Sequence, residues 1–90
     1  MTIRQITDLQ KEAGVYEMQK LILSGTVWKL EGSMGRVAMD GLKEGVFYLP
    51  DEPHSDYWGN RVPAREELRP GTKGTLENAW KYWEKYLTEA

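Results

Sequence analysis

Three stretches hold residue types whose spacing bears on chemistry, and each has a plainer structural reading beside it. The first is Gly32-Ser33-Met34-Gly35-Arg36. At the start of a helix, free amides and the positive end of the helix dipole favour an anion, and an arginine one turn on adds a charged fork. Ser33 and Arg36 are therefore candidate binding residues for a phosphorylated small molecule. The stretch lacks the length and the lysine of a P-loop, and an N-cap followed by small residues for close packing explains the same letters.

The second stretch surrounds His54, the single histidine, with Asp51, Glu52 and Asp56 nearby. A hydrolytic metal site wants more than one neutral imidazole, and a triad wants a nucleophile placed by a sharp turn; neither is visible here. His54 reads as a turn residue. Glu66 and Glu67 are adjacent, and neighbours on a helix do not converge for acid–base work. No catalytic residue, metal ligand or cofactor is expected, and the chain reads as non-enzymatic.

The third stretch combines aromatic and basic residues. Arg61, Arg65, Arg69 and Lys73 recur every four positions. On a continuous helix they would form a basic stripe beside Tyr57 and Trp58, able to engage nucleic acid by phosphate contacts and stacking. Pro63 and Pro70 interrupt that helix, and Glu66 and Glu67 neutralise it locally. In Asp56–Pro63, Gly59 beside Asn60 permits positive φ where the chain reverses, and Pro63 fixes the exit. The expectation is a rigid turn presenting Tyr57, Trp58, Asn60 and Arg61 as a recognition surface, with Arg65 next to it. The competing reading has Trp58 plugging the core beneath the loop.

The elements that must position these residues are short. Thr2–Gln5 and Thr7–Gln10 both read as capping boxes. A first helix is expected over about 3–13, stopped by Gly14, and a second from Val15 to Ser24, closed by Gly25. Thr26–Leu30 alternates and is rich in β-formers, which predicts a strand. Ser33 should cap a helix carrying Met34, Val37, Ala38 and Leu42 on one face and ending at Gly45; Gly35 and Gly41 inside it imply close approach of another backbone. Val46–Leu49 reads as a strand closed by Pro50, with residues 57–62 able to pair against it. Pro63 could start a short helix through Arg69, since proline suits a first helical position. Thr75 caps the clearest element, a helix through about Thr88 with Leu76, Ala79, Trp80, Trp83 and Leu87 on an apolar stripe that Tyr82 and Tyr86 widen.

The sum is an α+β domain over residues 1–90: three to four short helices packed on a small two- or three-stranded antiparallel sheet. Its expected core is Trp28, Val37, Leu42, Phe47, Trp80 and Trp83. Four Trp, five Tyr and one Phe among 90 residues supply enough ring surface for so small a core. Cysteine is absent, which removes disulfides and thiol chemistry and fits a reducing compartment. No basic segment followed by a long apolar run opens the sequence, and Leu21-Ile22-Leu23 is too short to span a bilayer, so neither a leader nor membrane association is expected. A formal net charge of −2 argues against a polyanion binder driven by electrostatics alone.

Residues 28–36 (Trp-Lys-Leu-Glu-Gly-Ser-Met-Gly-Arg) with Ala38-Met39, then Asp56-Tyr57-Trp58-Gly59-Asn60-Arg61-Val62-Pro63, then Pro70-Gly71-Thr72-Lys73-Gly74-Thr75 resemble a family of small uncharacterised proteins of tailed bacteriophages and prophages. The three motifs stand in the family's order and cover roughly half the chain. The resemblance implies a phage or prophage setting, and so the cytoplasm of a bacterial host, and no chemistry. A host or phage protein is accordingly the leading partner, with surplus aromatics and arginines suited to an interface. A homodimer through the C-terminal helix, using Tyr82 or Tyr86, is a further expectation.

Overall fold

The computed structural model describes residues 1–30 and 32–89; Glu31 of the first motif lies outside them. Four α-helices stand among the described residues: α1 (Ile3–Glu12), α2 (Tyr16–Ser24), α3 (Met34–Glu44) and α4 (Leu76–Glu89). Thr2 and Gln5 close the expected capping box on α1. Thr75 caps α4, its hydroxyl accepting from the Asn78 amide at 3.2 Å. α2 and α3 end at Gly25 and Gly45 as their sequences imply. Thr7 starts nothing: it lies inside α1, and its supposed capping partner Gln10 is fully buried and bonded to Gln19.

Two buried clusters form the core, and the segment 46–50 runs between them. Ile22, Val27, Trp28, Ala38, Leu42, Phe47 and Leu49 make the first cluster; Ile6, Leu9, Tyr48, Ala79 and Trp83 make the second. The strand expected at 46–49 does not form, although Phe47 and Leu49 face one cluster while Tyr48 faces the other. Residues 57–62 do not pair with it: Val62 packs on the first cluster, but β-pairing is with residues 54–55, and the backbone groups of 46–49 go elsewhere. Gly41 accepts the amides of Val46 and Phe47, and Leu49 donates to the Gly74 carbonyl at 2.9 Å. The Val46 carbonyl takes Gln10 Nε2 at 2.9 Å and Trp83 Nε1 at 3.2 Å. Buried side chains have replaced a neighbouring strand, which satisfies the requirement that buried amides and carbonyls be paired.

The sheet is instead a two-stranded antiparallel ribbon of β1 (His54–Ser55) and β2 (Arg61–Val62), with His54 opposite Val62 and Ser55 opposite Arg61. The α+β class and four helices stand, with the smallest sheet that the class allows. Thr26–Lys29 is a 3-10 turn rather than a strand. Val27 and Trp28 are adjacent and both buried, which a strand with alternating faces could not achieve against one core. Between Pro63 and Arg69 only one 3-10 turn forms, Arg65–Glu67.

Trp28, Leu42, Phe47 and Trp83 are core residues as expected. Val37 is not, being 50 % exposed: α3 buries Ala38, Gly41 and Leu42, and Val37 sits one residue, about 100° of rotation, off that face. Trp80 is half-buried against the second cluster, and Leu87 at the end of the stripe is exposed. The two internal glycines of α3 differ. A side chain at Gly41 would strike the Phe47 ring, whereas Gly35 faces open space, so neither meets the backbone that was expected: a side-chain ring explains the first and close approach does not explain the second.

Candidate protein-binding groove

Asp56 builds the turn that carries the aromatic pair. Its Oδ1 accepts the amides of Trp58 at 2.9 Å and Asn60 at 2.8 Å, and its Oδ2 accepts Asn60 Nδ2 at 3.2 Å. Its own amide donates to the Asn60 carbonyl at 2.8 Å. Gly59 sits at φ +83°, the left-handed conformation that its position beside Asn60 implied. Partial desolvation works against ionising Asp56, but the Asn60 amide and side chain, the Trp58 amide and the charge of Lys29 together hold its carboxyl below the ordinary range.

One further bond aims the turn. The Tyr57 amide donates to the Trp28 carbonyl at 2.7 Å, which fastens the hairpin tip to the 3-10 turn. Tyr57 and Trp58 are thereby thrown outward, 54 % and 78 % exposed, with their rings edge to face at 5.3 Å. Trp58 is not a core plug; the core under this loop is already filled by Trp28 and Val27.

Beside Trp58 a groove of about 510 Å³ opens between α3, the 3-10 turn and the hairpin. Its floor is apolar and buried: Val27, Trp28, Leu42 and Leu49, extended by Leu68. Met39 and Arg36 border it from α3, Trp58 and Arg61 from the hairpin, and Lys73 from the loop before α4. Residues from all three sequence motifs, far apart along the chain, thus meet at one recess.

The basic residues divide by what they touch. Arg61 is held fork to fork by Glu67, at 2.6 Å and 2.9 Å. Arg61 and the Ala64 amide together hold the Glu67 carboxyl low, and the same bond raises Arg61. Arg65 turns inward: its Nη1 donates to the Leu49 carbonyl at 3.1 Å, and its guanidinium lies 5.9 Å from the Tyr48 ring centre. The four-residue basic stripe consequently does not form, since Pro63 and Pro70 leave no continuous helix to display it. Arg36 and Lys73 make no ion pair among the described residues.

Of the residues singled out from sequence, Arg36, Trp58 and Arg61 line the groove. Tyr57 is exposed beside Trp58 but does not line the groove, and Asn60 serves the turn. Ser33 is exposed, makes no side-chain cap bond and does not border the groove, so the expected cap on α3 is absent. Its backbone is helical rather than extended, which turns the hydroxyl away from the amides it would accept. Lys73 and the floor residues were missed as site residues. Lys73 stands in the sequence reading as a member of the basic periodicity and of the third motif, and Trp28 as core and as the start of the first motif.

His54 packs its ring over Gly25, and among the described residues no group of three or more His, Cys, Asp or Glu side chains is placed to hold a metal ion. On α4, Tyr82 and Tyr86 turn edge-on to Trp83, with centroids at 4.8 Å and 5.0 Å, which uses them within the second cluster. Among the described residues no helix is long and apolar enough to cross a membrane. No protein-family model, curated protein or solved structure matches the chain.

Proposed function

We propose that the protein is a non-enzymatic binding module that acts by contact with another protein, docked over the Trp58 turn and the adjoining groove. The observation carrying this is Trp58 itself: a tryptophan 78 % exposed, at the edge of an apolar recess, on a turn held by five bonds around Asp56. Water contact with so much indole is unfavourable, and aromatic anchors beside pockets are where binding energy concentrates. The turn is ordered before any partner arrives, so little conformational freedom is lost on docking.

The motif resemblance supplies the setting: a host or phage protein as partner, met in the bacterial cytoplasm. The test is capture from host lysate by the wild type and by a Tyr57→Ala/Arg61→Ala double variant. Both substituted side chains are exposed, so the variant should stay folded, its melting temperature lowered only by loss of the solvent-exposed Arg61–Glu67 pair, while losing the captured protein. A folded double variant that captures as the wild type does removes Tyr57 and Arg61 from the interface, and the same result with Trp58→Ala removes the turn. Retention on single-stranded DNA that falls steeply with salt would favour nucleic acid instead.

A further inference from the structure

We infer that the segment seated in this groove is an acidic–apolar peptide: one bulky apolar side chain on the floor, flanked by Asp or Glu side chains that meet Arg36 and Lys73. This rests on the groove being a protein-docking surface and adds the chemistry of what docks.

Charge carries the inference. The chain as a whole has a net charge of −2, yet among the described residues its groove is bordered by three cations, Arg36, Arg61 and Lys73, and one carboxylate, Asp56. The Asp56 carboxylate offsets part of that charge, but its oxygens are engaged by the two amides and the Asn60 side chain that make the turn, and it forms no ion pair with Arg36 or Lys73. Arg61 is committed to Glu67. That leaves Arg36 on α3 and Lys73 before α4 as two cations, unpaired among the described residues, beside a hydrophobic floor.

An occupant that fits both features must be apolar at its centre and anionic at its flanks. The groove's volume of about 510 Å³ lies within the roughly 300–1,000 Å³ typical of recesses that enclose a compact group. A nucleic acid strand fits less well. Its phosphates need a track of cations, whereas these border a single recess on a chain that is acidic overall. Opposite charges at the rim would select the partner and speed its approach, while a basic flank would be rejected.

The test uses a displayed library of randomised peptides, selected on the full chain and on an Arg36→Glu/Lys73→Glu variant whose melting temperature is measured alongside. Wild type should enrich peptides sharing one Trp, Phe, Leu or Met with Asp or Glu close by. The strongest of these, made synthetically, should bind the variant at least about tenfold more weakly. The variant should in turn select the same apolar residue flanked by Lys or Arg. Apolar peptides without acidic flanks, or affinity indifferent to the charge reversal, would overturn the acidic chemistry and leave the docking surface standing. No enrichment by wild type, or enrichment undiminished by Trp58→Ala, overturns both readings. Oligo-dT binding that displaces the selected peptide would reassign the groove to nucleic acid.

Discussion

Gln19 brackets the backbone of Tyr48: its Nε2 donates to the Tyr48 carbonyl at 3.0 Å and its Oε1 accepts the Tyr48 amide at 3.1 Å. One side-chain amide thus performs both bonds that a neighbouring strand would supply. Gln10 completes the arrangement by donating to Gln19 Oε1 at 2.8 Å and to the Val46 carbonyl. Helices α1 and α2 are in this way tied to the extended segment that separates the two clusters.

Gln19→Ala should therefore act as a core lesion despite removing a polar side chain. It leaves the buried amide and carbonyl of Tyr48 unpaired, at about 1–3 kcal/mol each, so a loss on the order of 3 kcal/mol is expected. The measurement is the urea midpoint, which should fall while the slope of the transition is unchanged. A midpoint within experimental error of wild type would mean that water replaces the amide without cost.

The tryptophans should separate cleanly. Trp83 is 1 % exposed and its indole N–H is spent on the Val46 carbonyl, so Trp83→Ala should cost about 3–5 kcal/mol. Trp58→Ala should stay within about 0.5 kcal/mol of wild type, since that ring rests on the surface. Thermal melts of the two variants check both halves.

The α3 glycines give a pair of opposite sign. Gly35→Ala adds a methyl in open space to a helix and should stabilise by up to about 1 kcal/mol. Gly41→Ala drives a methyl into the Phe47 ring and should destabilise by about 1–3 kcal/mol. If both variants melt above wild type, Phe47 is not packed against α3.

Acid should loosen the hairpin. Asp56 and Glu67 are both held below the ordinary carboxylate range in the folded chain. A group whose folded value is depressed contributes stability above its unfolded value, and that contribution is lost as pH falls through the folded value. The loss should thus develop below about pH 4. Melting temperature against pH should show a shallower acid limb in an Asp56→Asn/Glu67→Gln variant than in wild type. Equal slopes would contradict the role given to these two carboxylates.

What the sequence determined by itself was local. Four helices were legible because caps and apolar spacing act within a few residues, as at Thr2–Gln5 and Thr75–Asn78. The reversal at Gly59 was legible for the same reason. The run at 46–49 read as a strand that does not form, and what bonds that backbone was not legible. Only the tertiary structure decided this, because Gln19 lies 29 residues from Tyr48 and a buried glutamine in a helix leaves no periodic mark. The same holds at the candidate site. Trp58 faces outward because the Tyr57 amide is held by Trp28, and Arg65 faces inward because the Leu49 carbonyl needs a donor. The groove itself exists only where Trp28, Arg36, Trp58 and Lys73 meet, and side chains brought together from distant segments acquire a shared surface through packing alone.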